Sequence, residues 1–295
     1  MQERLGFRGA LRARLAGFSR RSGAIAAVLL CAVPGSAYTS LSRDNPSTPA
    51  EQPALWVLSD ADTTIYLFGT FHALDDRTDW FARPIRAAFD SSDELVLETV
   101  IPTDPARLFG ALARHDLADP PVIGAPVVAR SDHSFAAAAR STMAASRSAG
   151  LTVERGADAV LRRIADAQGK PVDGLESFDF QLGMVKALPA PAAAAAAPAA
   201  TAQPELRQML LDMRSAWKRG DGSRFAAVLG GLEAQSPATY QRLFVDRNNH
   251  WARWIANRMT RPGTVFVAVG TGHLIGRDSV QQKLTRHGYR TTRIQ

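Results

Sequence analysis

Two phrases of the chain carry the same arrangement of residues with chemical potential: IYLFGTFHAL at 65–74 and VFVAVGTGHLIG at 265–276. In each, an apolar run long enough for a buried strand ends at a glycine, Gly69 or Gly270. A threonine follows, and two residues later a histidine, His72 or His273. Glycine at a strand's end lets the backbone turn sharply and approach a neighbour. Each histidine is therefore expected just outside the carboxyl end of a strand, the edge where open α/β sheets bind ligands. Two acids suit the same edge: Glu98 closes ELVLE, and Glu176 closes KPVDGLE. A carboxylate ending an apolar strand is costly to bury unless it is paired or metal-bound. Neutral imidazole is a common metal ligand and a carboxylate its usual companion. His72, His273 and one acid would make an open site for Zn, Mn, Fe or Co, able to activate a bound water and polarise a carbonyl.

Plainer readings exist for each residue. A single histidine after a strand is more often a hydrogen-bonded turn residue, and strand-end acids often cap helices or face solvent; the recurrence of the phrase is what weighs against coincidence. On spacing alone Arg247 and Asn248 fall on a helix surface, and Trp251 and Trp254 in the core. His115, His133, His250 and His287 lie in polar or helical surroundings and receive no role. The glycines of GTGHLIG are misplaced for a dinucleotide fingerprint, and too little chain follows for the remaining strands and helix. No G-x-S-x-G elbow, H-E-x-x-H helix or phosphate-binding Walker loop occurs.

The elements that must position these residues alternate in type. PALWVLS (53–59) and TTIYLFG (63–69) read as a strand hairpin. DWFARPIRAAFDSS (79–92) has helical spacing, and DELVLETV (93–100) reads as a buried strand. From about 103 to 165 the chain is Ala- and Arg-rich and helical, with a break at 119–126. The run 156–177 predicts helix, glycine turn, short strand and acidic loop. Two or three helices fill 205–261, followed by the second strand phrase, a helix over 278–288 and a strand over 289–294. The fold class expected is α/β (α+β): a mixed sheet built from both chain ends in two βαβ-like halves, 63–98 and 264–294, surrounded by helices, with a helical middle. The stretch ALPAPAAAAAAPAATAQP, 187–204, is low in complexity and too proline-rich for one helix.

Composition locates the chemistry outside nucleic-acid binding. The 295 residues carry a net charge of +7, but residues 1–37 hold six basic side chains and one acid, leaving the remainder near +2. Residues 1–37 have a basic start, the apolar stretch GAIAAVLLCAV and the small residues Gly35 and Ala37. They read as a signal peptide, with an uncleaved membrane anchor as the alternative, followed by a polar linker at 38–52 and a domain at 53–295. SRRSGA at 19–24 loosely resembles a twin-arginine signal, leaving the export route open. The only cysteine, Cys31, falls within the signal, so the exported domain would hold no disulfide or thiol nucleophile and would rely on its core. A periplasmic or secreted location follows, with a peptide or small-molecule partner, no nucleic acid, and the oligomeric state open.

Taken together, PALWVLSDADTTIYLFGTFHALDD, ELVLE, GADAVLRRIADAQGKPVDGLES, DRNNHWA and VFVAVGTGHLIGRDSVQQKLTRHGYRTTRI resemble the TraB/GumN family. That family also contains the Tiki proteases and is related to erythromycin-esterase- and ChaN-like proteins. The phrases occur in family order over nearly all of 53–295; this chain departs in having Ala157 between Gly156 and Asp158, and in the Ala/Pro stretch. The resemblance implies a mixed sheet with surrounding helices and a site between two G-x-x-H motifs. From the Tiki branch it implies a metal-dependent peptidase using manganese or cobalt-like ions. By position it makes His72 and His273 the motif histidines, Glu98 and Glu176 the acids, and Arg247 and Asn248 an Arg-Asn pair. The expectation is a hydrolase whose divalent ion (Mn, Co or Zn) is held by His72, Glu98 and His273. Glu176 would serve as general base or further ligand, and Arg247 as an oxyanion donor. A non-catalytic metal or haem carrier, or a polysaccharide-export accessory factor of the same fold, is the alternative.

Overall fold

The computed structural model describes residues 52–115, 135–188 and 203–295, the side chains of 135–140 and 203 aside. Residues 1–37, expected to be a signal segment, nearly all of 38–52, expected to be a linker, the break at 119–126, His133 and most of the Ala/Pro stretch lie outside the described residues. Six strands form one mixed sheet: β1 (Leu55–Ser59), β2 (Thr63–Thr70), β3 (Glu94–Thr99), β4 (Val172–Glu176), β5 (Gly263–Gly270) and β6 (Thr292–Arg293). Their spatial order is β4-β3-β5-β2-β1-β6. The four strands from β4 to β2 run parallel. The β1–β2 hairpin and the β1–β6 pair are antiparallel. The two strand–helix–strand units interleave: β5, from the far end of the chain, lies between β2 and β3.

Helices cover both faces, which is why the central strands are apolar throughout rather than alternating. On one face Phe68, Leu95, Leu97, Phe266 and Ala268 meet helices α1 (Ile85–Asp90), α3 (Phe135–Ser148), α4 (Ala157–Gln168) and α6 (Gln203–Lys218). On the other, Ile65, Leu67, Val96, Val265, Val267 and Val269 meet α9 (Arg247–Arg258) and α10 (Val280–Thr285). The remaining helices are α2 (Pro105–Arg114), α5 (Phe178–Lys186), α7 (Ser223–Gln235) and α8 (Pro237–Tyr240). A π-helical turn, Gln241–Asp246, joins α8 to α9.

Local signals set the boundaries. Asp104 and Ser177 accept hydrogen bonds from the third residue beyond them and cap α2 and α5. Gly169, with φ of 67°, ends α4 in the left-handed conformation a glycine tolerates. The helix expected over 79–92 is confined to α1, after Pro84, because the ring cannot sit within a continuous helical ladder. The final strand is likewise short, Thr292–Arg293. Among the described residues no helix is long and apolar enough to cross a membrane.

Candidate active site at the carboxyl edge of the sheet

Because β4, β3, β5 and β2 are parallel neighbours, their carboxyl ends carry Glu176, Glu98, His273 and His72 to one edge. In the ladder Thr70 lies opposite Gly270, and Gly69 opposite Val269. The two Gly-Thr-x-His phrases are therefore offset by one residue in space. The offset gives each small residue a distinct task. A Cβ at Gly69 would fall 2.9 Å from Thr271 Oγ1, so only glycine leaves room for that side chain. Thr271 Oγ1 donates to the Thr70 carbonyl at 2.9 Å, while Thr70 Oγ1 donates to Asp158 Oδ1 at 2.6 Å. The threonines thus fasten the two strand ends to each other and to α4. The backbone N–H of Gly270 donates to Glu98 Oε1 at 2.6 Å.

Arg247 stands at the centre. Its Nε donates to Glu176 Oε1 at 2.8 Å, and Nη2 to Glu98 Oε2 at 2.8 Å and Glu176 Oε2 at 2.9 Å. Nη1 donates to the Leu243 carbonyl at 3.3 Å and lies 3.1 Å from His273 Nε2. All five N–H groups of the guanidinium therefore have acceptors, and none is spare for an oxyanion. Trp251 and Gln181 add donors to Glu176 at 3.0 and 3.3 Å, and the guanidinium lies 4.6 Å from the Trp251 ring. The π turn immediately precedes Arg247, and such turns often mark functional positions in helices. The spacing argument that put Arg247 and Asn248 on the helix surface is overturned: they are 2% and 1% exposed. The wide stripe Leu243, Phe244, Arg247, Asn248, Trp251, Ala252 and Ile255 turns inward as one. Trp251 is core as expected, whereas Trp254 is only half-buried.

Both histidines present the same nitrogen. His273 Nδ1 is 2.6 Å from Asn248 Oδ1. Asn248 Nδ2 donates to the Asp278 carbonyl at 2.7 Å, which fixes the amide's orientation and makes Oδ1 an acceptor. The proton therefore sits on His273 Nδ1, and the Nε2 lone pair accepts from Arg247. Burial, then the adjacent Arg247, push the His273 pKa down to about 3, so the ring is neutral. Phe244 and Trp251 wall it at centroid distances of 4.9 and 4.3 Å. His72 Nδ1 is 2.8 Å from Asp158 Oδ2, and its Nε2 is buried without a partner. Burial disfavours the charged His72 ring, but the Asp158 carboxylate outweighs it and the pKa rises to about 9. For Glu98 burial would raise the pKa; Arg247, with both histidines and the Gly270 N–H, outweighs it and holds the value at about 2. The same two carboxylates hold the buried Arg247 above its ordinary pKa.

Asp158 is the participant that residue types alone did not single out, although it closes the phrase Gly156-Ala157-Asp158. Its signal is the glycine two residues earlier. A Cβ at Gly156 would lie 2.1 Å from the His72 carbonyl oxygen, and the Ala157 N–H donates to the Phe71 carbonyl at 3.0 Å. Glycine thus lets the start of α4 abut the His72 turn and set the carboxylate beside the ring. Asp278 and Gln181 also lay outside the sequence-based set.

With Nδ1 tied to an acceptor on each ring, Nε2 is the atom each ring would offer an ion beside Glu98, His72 once its ring loses a proton and His273 once Arg247 withdraws from it. Glu98 Oε1 lies 3.8 Å from His273 Nε2. Among the described residues, however, no group of three or more His, Cys, Asp and Glu side chains is arranged to hold a metal ion. The guanidinium of Arg247 supplies the positive charge between the carboxylates and His273. An ion bound by His273 and Glu98 needs that side chain to draw back onto Glu176.

The sequence model of the TraB/PrgY/gumN family matches residues 54–122 and 120–293. The chain is 32% identical over 135 residues to the uncharacterized protein YbaP of Escherichia coli (strain K12), covering 46% of this chain and 50% of that protein. YbaP of Shigella flexneri gives the same identity and coverage. The chain thus spans about half the length of the curated relatives it matches. No solved structure matches.

Proposed function

Because the chain belongs to the TraB/PrgY/gumN family, we propose that it is an exported, metal-dependent hydrolase acting on peptides. The observation that carries the reading is the pair of imidazoles, His273 buried and His72 partly buried, whose Nδ1 atoms are committed to Asn248 and Asp158 respectively, beside Glu98 at one sheet edge. His72 Nε2, His273 Nε2 and Glu98 would hold the ion. When bound, a divalent metal supplies a Lewis acid and an activated water. The chain's own residues do the rest. Asp158 and Asn248 keep both rings in the orientation that aims Nε2 inward. Arg247, Trp251 and Gln181 fix Glu176 through both carboxylate oxygens; as general base, Glu176 would exchange one of these donors for the proton released by the attacking water. The walls of Phe244 and Trp251 exclude bulk water from His273. Export is supported by the composition of residues 1–37.

A peptide library incubated with Mn²⁺, Co²⁺ or Zn²⁺ tests the proposal. Cleavage by the wild type is expected, suppressed by chelator and absent in His72→Ala and in His273→Ala. No cleavage under any of the three ions contradicts it. The full commitment of the Arg247 N–H groups favours a second reading, in which the cluster carries a metal without turnover. Tight uptake without cleavage would select that one.

A further inference from the structure

Hydrolysis of an amide calls for a hydrogen-bond donor aimed at the carbonyl oxygen as it gains charge. The obvious donors of the cluster are occupied. Arg247 has no free N–H, Asn248 Nδ2 donates to the carbonyls of Asp278 and His273, and the Trp251 indole donates to Glu176. Thr99 differs from all of these. It follows Glu98 at the end of β3, lies opposite Glu176 in the ladder and is 7% exposed. Its Oγ1 is nevertheless buried without a hydrogen-bond partner. Buried hydroxyls are ordinarily satisfied, and an orphan calls for an explanation. The neighbouring strand offers none: a Cβ at Gly174 would lie 3.3 Å from Thr99 Cα, so β4 presents bare backbone there. His72 Nε2 is the other orphan atom belonging to these strand ends. The Thr99 hydroxyl is a rotatable donor suited to an oxygen, whereas His72 Nε2 is a ring nitrogen that can take a cation only after giving up its proton.

We propose that the Thr99 hydroxyl is the donor to the carbonyl oxygen of a bound substrate. The inference rests on the peptidase reading of the same cluster. Thr99 forms no covalent bond and keeps its proton; the hydrogen bond strengthens as the oxygen gains charge. Three measurements on the intact chain test it, using Thr99→Val, which exchanges the hydroxyl for a methyl group, and Thr99→Ser, which retains it. Melting of the metal-free protein reports structure: Thr99→Val should melt no lower than the wild type. A fall of about 3 °C or more, the size of a lost hydrogen bond in a domain of this length, would show a structural partner and overturn the proposal. In peptide cleavage, Thr99→Val should lose about 100-fold in kcat with KM little changed, and Thr99→Ser should recover most of it; an unaltered kcat overturns the proposal. Calorimetric titration with acetohydroxamate, with and without Co²⁺, needs no turnover. Thr99→Val should bind this carbonyl probe about tenfold more weakly than the wild type or Thr99→Ser. Equal affinity, or no binding by the wild type in either condition, overturns the proposal. A wild type that binds the probe but cleaves no peptide defeats the peptidase reading, and the probe affinities still decide the role of Thr99.

Discussion

Arg247 bonds to both carboxylates at the strand ends and lies against His273, and its worth can be measured. It is the shared partner of Glu98 and Glu176, whose side chains are 9% and 4% exposed. Removing one member of such a buried set leaves charges without compensation, at a cost of about 3–5 kcal/mol. Arg247→Met should therefore lower the melting temperature by roughly 10 °C, as read by calorimetry; a loss within experimental error would mean the network is not intact in solution. The pKa shifts add a signature in chelator-treated protein. His273 has a folded value near 3 against 6.5, so its stabilisation is fully present above pH 6.5 and is lost as pH falls through about 3. Glu98, near 2 against 4.5, contributes fully above pH 4.5 and loses its contribution as pH falls through about 2. His72, near 9 against 6.5, works oppositely: its contribution is full below pH 6.5 and is lost as pH rises through about 9. Linkage then places maximal stability near pH 6.5. Urea midpoints should fall toward both pH 4 and pH 9.5, and a midpoint that rises toward pH 4 would refute the assignment. Of the candidate site residues, His72, His273, Glu98 and Glu176 were legible in the sequence because they sit in repeated or strand-ending phrases; Arg247 and Asn248 were singled out only by the family resemblance. Asp158 was not legible, since a lone acid in the first turn of a helix is ordinary there.

At the scale of elements, the Gly-Thr-x-His strand ends act as a fitted joint. Gly69 makes room for Thr271, and Thr271 bonds to Thr70. Gly69→Ala should destabilise by ~1–3 kcal/mol through overpacking. Combining it with Thr271→Ala should recover part of that loss, with a coupling of at least ~0.5 kcal/mol. Strictly additive denaturation energies would show that the two positions do not touch. The apolar runs of β2, β3 and β5 were legible because both faces are buried and the pattern is continuous. The ladder offset was not, because register is decided by cross-strand packing that a single strand's pattern does not contain. Arg247 and Asn248 fall at the same regular spacing as the core residues Trp251, Ala252 and Ile255, so the period does carry their inward turn. Residue type points them to the surface instead, because a guanidinium and an amide are ordinarily exposed, and the partners that let them be buried, Glu98, Glu176 and His273, lie on other elements.

At the scale of the molecule, the sheet joins the two ends of the chain. β5 lies at its centre, between strands contributed some two hundred residues earlier. The mixed sheet and the helices around it followed from the order of periodic segments; the insertion of β5 between β2 and β3 did not, because strand order is a property of tertiary packing. That insertion sets the two motif-bearing strands side by side, and it is the architectural basis for a joint site. The account stands or falls on whether both histidines serve one ion. The direct measurement is metal content by mass spectrometry after loading with Mn²⁺, Co²⁺ or Zn²⁺ and removal of excess, for the wild type, His72→Ala and His273→Ala, with circular dichroism confirming each fold. About one ion per wild-type chain and almost none in either variant is predicted, since each variant loses a ligand that the ion requires. Equal metal in all three proteins, or negligible metal in the wild type, would contradict it.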